Sequence, residues 1–90
     1  MNYLPTNIKY LRTRDRISQQ KLGIKIGCDV GLPNCWEHDV CKTQLNELLK
    51  LSDYFKVSID WLVRKDLMRE TYPMIKANYQ LTKQILETYD

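Results

Sequence analysis

The feature that most constrains the fold is the stretch from 18 to 37, SQQKLGIKIGCDVGLPNCWE. Ser18 is a favoured helix N-cap, and two apolar residues four positions apart follow it on one helical face. Gly27 suits the left-handed backbone that commonly ends a helix. Asp29 can then cap a second short helix that ends near Glu37. Two short helices joined by a glycine turn form a helix-turn-helix, the unit that places a recognition helix in the DNA major groove.

The rest of the chain also shows helical periodicity, and no segment alternates as a strand does. A cap at Thr6 or Asn7 predicts a first helix, and caps at Thr43 and Ser58 predict two more. Pro73 suits the first turn of a final helix. The expected fold class is therefore all-α.

The residues from 7 to 66 resemble the Cro/repressor-type (XRE-like) helix-turn-helix family of bacterial and phage transcription regulators. The matching residues are Ile8, Leu11, Arg12, Ile17, Ser18, Gln19, Leu22, Ile26, Gly27, Trp36, Glu37, Leu45, Leu48, Leu49, Leu51, Asp53, Phe55 and the run VSIDWL at 57–62. The resemblance implies a five-helix, repressor-like DNA-binding domain over 1–66, with 67–90 as an additional C-terminal helix. It also implies double-stranded DNA as the partner and a homodimer, because such repressors bind paired half-sites.

The resemblance implies a set of DNA-contacting positions. Gln19 occupies the place where the family's glutamine clamps a phosphate, helped by the positive end of the helix. Weaker phosphate candidates are Arg14, Gln20, Lys25 and Lys42. The positions expected to face the groove are Val30, Gly31, Leu32, Asn34 and Cys35.

The recognition helix is poor in residues that read bases. It is expected over about 30–37, and there only Asn34 offers the paired donor and acceptor of direct readout. Pro33 and Gly31 both disfavour a helix interior. They predict that this helix is distorted or starts late, near Leu32 or Pro33.

Basic and acidic residues are unevenly distributed over the first 41 positions. Residues 1–25 carry six Lys or Arg and a single Asp, which favours phosphate contact, whereas 26–41 carry three acids and no Lys or Arg. Ile24, Val30 and Leu32 add an apolar spot on the expected DNA face. An alternative function is therefore open: a degenerate helix-turn-helix that binds another regulatory protein, as an antirepressor does.

Two large residues at the end of the recognition helix are expected to serve the fold. Trp36 should pack the helix against the rest of the domain, and Glu37 should pair with Arg12. Neither is expected to contact DNA.

The three cysteines, Cys28, Cys35 and Cys41, fit a reducing compartment and are a poor layout for stapling a fold. Cys35, His38 and Cys41 are spaced by three residues, but zinc sites usually need a second pair of ligands elsewhere. Leftover thiols are the expectation, with no metal and no cofactor. No sequence around a Cys–His pair predicts a cleft, so an enzyme is not expected.

The final segment carries a broad apolar stripe. Its members recur at three- and four-residue steps: Met74, Ile75, Asn78, Tyr79, Leu81, Ile85, Leu86 and Tyr89. This stripe must be covered by its own domain, by a second copy or by another protein. Nothing in the chain resembles a signal peptide or a membrane span, so a cytoplasmic protein without a membrane partner is expected.

Overall fold

The fold of residues 2–88, as a computed structural model describes it, consists of helices and their connections. The elements are α1 (Leu4–Arg14), α2 (Gln19–Ile26), α3 (Leu32–Glu37), α4 (Leu45–Phe55), α5 (Ile59–Arg64), a 3₁₀ turn (Leu67–Arg69) and α6 (Tyr72–Thr88). No strand occurs in this part of the chain, which confirms the all-α prediction. None of these helices is long and apolar enough to cross a membrane.

A single hydrophobic cluster joins the elements. Helix α1 contacts α3, α5 and the 3₁₀ turn, while α2 contacts α3 and α4, and α4 contacts α5. The buried members are Leu4, Ile8, Leu11, Leu22, Ile26, Trp36, Leu51, Phe55, Val57, Leu62, Leu67 and Ile75. The last two lie beyond residue 66, so the C-terminal segment shares the core of the preceding helices.

Local capping chemistry sets several helix ends. The hydroxyl of Ser18 accepts a hydrogen bond from the backbone N–H of Lys21 at 3.1 Å, and Gly27 ends α2 with φ of +74°. Ser58 caps α5 as predicted. The expected cap of α4 at Thr43 is wrong by one residue, because Gln44 precedes the helix.

The predicted cap of α1 at Thr6 or Asn7 is also wrong, since the helix begins earlier and Asn7 is fully buried. The Asn7 amide nitrogen donates to the carbonyls of Leu62 at 2.8 Å and Lys65 at 2.7 Å. Its amide oxygen accepts from the N–H of Leu67 at 3.2 Å. The side chain therefore satisfies the backbone where α5 ends, which is why it does not cap its own helix.

The first half of α6 folds back on α4 and α5. Ile75 and Tyr79 are buried, and the Tyr79 hydroxyl donates to the Asp53 carboxylate at 3.3 Å. The Ser58 hydroxyl donates to the Asn78 amide oxygen at 2.6 Å. The alternative in which the stripe is covered by its own domain is thus correct for Ile75 and Tyr79.

The remainder of the stripe is exposed. Its uncovered members are Met74, Leu81, Ile85 and Leu86. Tyr89, which the sequence also assigned to the stripe, lies outside the described residues. An apolar face on α6 is therefore left without a cover from residues 2–88.

Candidate nucleic-acid interface

Helix α2 lies close to the chain segment that leads into α3, and Gly23 makes this approach possible. A Cβ atom at this position would lie 3.0 Å from the Cα of Val30 and 3.1 Å from the carbonyl oxygen of Asp29. Gly23 was not predicted from the sequence to have a role. The feature that could have identified this residue is its place inside a helix, where alanine is favoured unless another part of the chain packs against the backbone.

The connection between the two helices differs from the expected one at Asp29. The Asp29 carboxylate accepts a hydrogen bond from the N–H of Gly31 at 2.8 Å, which forms a turn ahead of the helix. Gly31 is the residue that precedes α3, and no side chain caps it. The prediction of a late start near Leu32 is confirmed, while the prediction of Asp29 as the cap is wrong.

The late start explains how α3 accommodates Pro33. Pro33 is the second residue of the helix and is buried, and in a first turn its missing N–H costs no helical hydrogen bond. Trp36 is 1% exposed and packs in the core, as expected. Among the described residues its indole nitrogen has no hydrogen-bond partner.

A charge network with little solvent exposure at Arg12 and Glu37 joins α1, α2 and α3. The guanidinium of Arg12 donates to both carboxylate oxygens of Glu37, at 2.7 and 3.0 Å, which confirms the predicted pair. Arg12 also donates to the carbonyl of Ile17 at 3.0 Å. The Gln19 amide nitrogen donates to Glu37 at 3.1 Å. The hydrogen bond to Glu37 raises the pKa of Arg12, because it favours the charged guanidinium.

Arg14 is committed to other contacts. Its guanidinium lies over the ring of Tyr72 with 4.6 Å from Cζ to the ring centroid, and it donates to Asp15 at 3.1 Å. The contact with Tyr72 joins the end of α1 to the start of α6. Stacking of this kind holds the guanidinium in place and weakens its case as a phosphate ligand.

The other phosphate candidates are exposed. Gln20 and Lys25 lie on α2, beside Gln19, which is half-buried at the first position of that helix. Lys42 lies apart from them, in the connection between α3 and α4. The structure therefore brings together three of the predicted phosphate contacts on one helix.

The groove-facing candidates divide into two groups. Asn34, Val30 and Gly31 are exposed, whereas Leu32 and Cys35 are half-buried. Leu32 packs against the core, so the expected apolar spot consists of Ile24, which is 68% exposed, and Val30, which is 46% exposed. Asn34 is the one side chain in this set with both a hydrogen-bond donor and an acceptor.

The cysteines do not all remain thiols. Cys35 and Cys41 form a disulfide with their Cα atoms 5.6 Å apart, so the expectation of leftover thiols is wrong for this pair. Cys28 is a half-buried thiol, and burial raises its pKa. Within residues 2–88, no three His, Cys, Asp or Glu side chains gather in an arrangement that could hold a metal ion.

Comparison of the chain with protein-family models, curated proteins and solved structures found no match. The geometry that bears on function is the network of Arg12, Glu37 and Gln19, together with the exposed side chains near it.

Proposed function

We propose that the protein is a repressor-like transcriptional regulator that binds double-stranded DNA through a helix-turn-helix formed by α2 and α3. The observation that carries this proposal is the position of Gln19. It is the first residue of α2, and its amide is tied to Glu37 of α3 at 3.1 Å. Glu37 is in turn held by Arg12 of α1, so three helices fix the place of one polar side chain.

That arrangement suits a phosphate contact. A glutamine amide has two N–H donors, and the bond to Glu37 uses one of them. The first backbone N–H groups of a helix have no partner within the helix, and they favour an anion. Because Arg12 neutralises Glu37, the nearby carboxylate does not repel a phosphate as a free one would.

Base readout depends on few groups. α3 presents Asn34 to solvent, and a bidentate contact from an asparagine contributes about 1–3 kcal/mol of discrimination between bases. With six residues, α3 offers little further contact. DNA shape and deformability therefore supply much of the specificity in this proposal.

The regulator acts as a homodimer in this proposal. The exposed apolar side chains of α6, among them Ile85 and Leu86, supply a surface for a second copy. Two copies would place two α3 helices on paired half-sites. Sedimentation equilibrium of the full chain tests this point. One chain has a mass of 10.8 kDa, so a species of twice that mass supports the homodimer, and a monomer at all concentrations contradicts it.

The DNA test starts with selection from a randomised duplex library, followed by anisotropy titrations of the enriched duplex at several salt concentrations. Gln19→Ala should weaken binding severalfold. Lys25→Ala should weaken it and lower the slope of log K against log salt by about one, the value for one lost phosphate contact. Lys76→Ala removes the same charge from an exposed position on α6 and serves as the matched control. It should leave the slope nearly unchanged.

Failure to enrich any sequence, together with weak binding that salt abolishes, would contradict the proposal. That result would favour the alternative function, a protein-binding module such as an antirepressor. The observation behind this alternative is the exposure of Ile24 and Val30 on the face that would otherwise meet DNA. In that case, Ile24→Glu should abolish binding to the partner regulator and leave the fold intact, because the side chain lies outside the core.

A further inference from the structure

A covalent ring closes at the C-terminal end of α3. The Cα atoms of Cys35 and Cys41 lie 5.6 Å apart, which is a usual spacing for a disulfide. The N–H of Val40 donates to the carbonyl of Cys35 at 3.0 Å, and Asp39 takes a left-handed backbone with φ of +55°. These two features reverse the chain after the helix and return Cys41 to Cys35.

We propose that Cys35 and Cys41 are a reversible thiol–disulfide pair whose oxidation stabilises the C-terminal end of α3. The backbone turn keeps the two thiols adjacent in the reduced chain, so little rearrangement is needed to join them. This proposal concerns the chain alone and does not depend on whether it binds DNA.

The ring encloses the residues that attach α3 to the rest of the molecule. Trp36, in the hydrophobic core, and Glu37, which holds Arg12 and Gln19, both lie between the two cysteines. A helix of six residues has little stability of its own, so its order depends on such contacts. Crosslinking the ring restricts the unfolded chain around them, and reduction removes that restriction.

Cys28 does not compete with Cys35 and Cys41 in forming the disulfide. Cys28 is half-buried, its thiol contacts the carbonyl of Asp29 at 3.6 Å, and burial raises its pKa. Thiolates and not thiols attack disulfides, so Cys28 reacts more slowly than an exposed cysteine would. It also lies outside the hydrogen-bonded turn that joins the other two.

The oxidant in this proposal is a small-molecule disulfide such as glutathione disulfide. The thiolate of one cysteine attacks it, forms a mixed disulfide and releases one glutathione thiolate. The thiolate of the second cysteine then attacks the protein sulfur of the mixed disulfide and releases the second glutathione. Two protein thiols are thus oxidised by two electrons, one glutathione disulfide is reduced, and the two protons pass to the released glutathiones.

The test equilibrates the full chain in buffers with different ratios of glutathione to glutathione disulfide. Free thiols are then alkylated with iodoacetamide and counted by mass, and peptide mapping locates them. Three alkylated cysteines are expected under reducing conditions, and Cys28 alone under oxidising conditions. Thermal unfolding followed by circular dichroism should show a Tm higher by about 10 °C for the oxidised chain.

Matched variants assign the effect. Cys28→Ser should keep both the oxidation and the change in Tm, whereas Cys41→Ser should lose both. Should Cys41→Ser not fold, the reduced and oxidised forms of Cys28→Ser give the same comparison without it. Three alkylated cysteines in every buffer, Cys28 alone alkylated in every buffer, a disulfide between Cys28 and Cys35 or Cys41, or an oxidised chain with an unchanged Tm would each overturn the proposal.

Discussion

Glu37 is the residue on which the arrangement of the first three helices depends. Its side chain is 3% exposed, and it accepts hydrogen bonds from Arg12 and Gln19. A buried carboxylate is stable only when it is paired, and here the pairing is bidentate. The hydrogen bond raises the pKa of Arg12, so the folded chain holds that proton more tightly. This contribution is present below the ordinary pKa of arginine and is lost only as the pH rises through the raised value.

The first prediction concerns Glu37→Gln, which removes the charge and keeps the shape. Arg12 would then be left largely buried without a counter-charge, and the free energy of unfolding should fall by about 2 kcal/mol. Urea denaturation measures the change. Asp60→Asn is the matched control, because it also replaces a carboxylate by the corresponding amide. Asp60 pairs with Arg64, and the side chains of Asp60 and Arg64 are 65% and 78% exposed. Asp60→Asn should cost less than about 0.5 kcal/mol, and equal losses in the two variants would contradict the role given to Glu37.

At the scale of elements, α2 packs against the chain ahead of α3. This contact depends on the absence of a side chain at Gly23. The backbone of Asp29 and Val30 passes where a Cβ would stand. Both neighbours are backbone atoms, which cannot move aside as the end of a flexible side chain can. The closeness of α2 to the segment ahead of α3 therefore depends on a glycine backbone.

The second prediction is that Gly23→Ala destabilises the fold by about 1–3 kcal/mol, although alanine is the better helix former. The added Cβ must push α2 away from Asp29 and Val30. Gly31→Ala is the control, since its Cβ would meet only the carboxylate oxygen of Asp29, at 3.3 Å. It should change the unfolding free energy by less than about 1 kcal/mol. A stabilised Gly23→Ala in thermal or urea unfolding would show that the two segments are not closely packed.

Helix ends were predictable from the sequence where local chemistry decides them. Ser18, Gly27 and Ser58 act within one turn of their own position, so their residue types sufficed. Asn7 was misread because its partners lie 54 or more positions away. At the candidate site the pair of Arg12 and Glu37 was predicted, since the resemblance placed both residues. The contact between Arg14 and Tyr72 was not, because the resemblance ends before α6.

At the scale of the whole molecule, Asn7 connects the beginning of the chain to the segment that leads into α6. Its amide reaches the last carbonyls of α5 and the N–H of Leu67, and Leu67 is fully buried in the common core. The hydrogen bonds to the Leu62 carbonyl and from the Leu67 N–H are buried, so they satisfy backbone groups shielded from water, while the one to Lys65 is part-buried. One side chain thus fixes how α1, α5 and the C-terminal segment meet.

The final prediction follows from that connection. Asn7→Ala removes the hydrogen-bond partner of three backbone groups, namely the carbonyls of Leu62 and Lys65 and the N–H of Leu67. Each of these groups that water does not then reach costs about 1–3 kcal/mol. We expect a loss of about 3 kcal/mol in the free energy of unfolding, measured in urea, together with faster amide hydrogen exchange at Leu67. Asn46→Ala makes the same change at an exposed position of α4 and should lie within about 0.5 kcal/mol of the parent chain. If Asn7→Ala matched Asn46→Ala in both measurements, the junction would be held by apolar packing alone, and the amide of Asn7 would be dispensable.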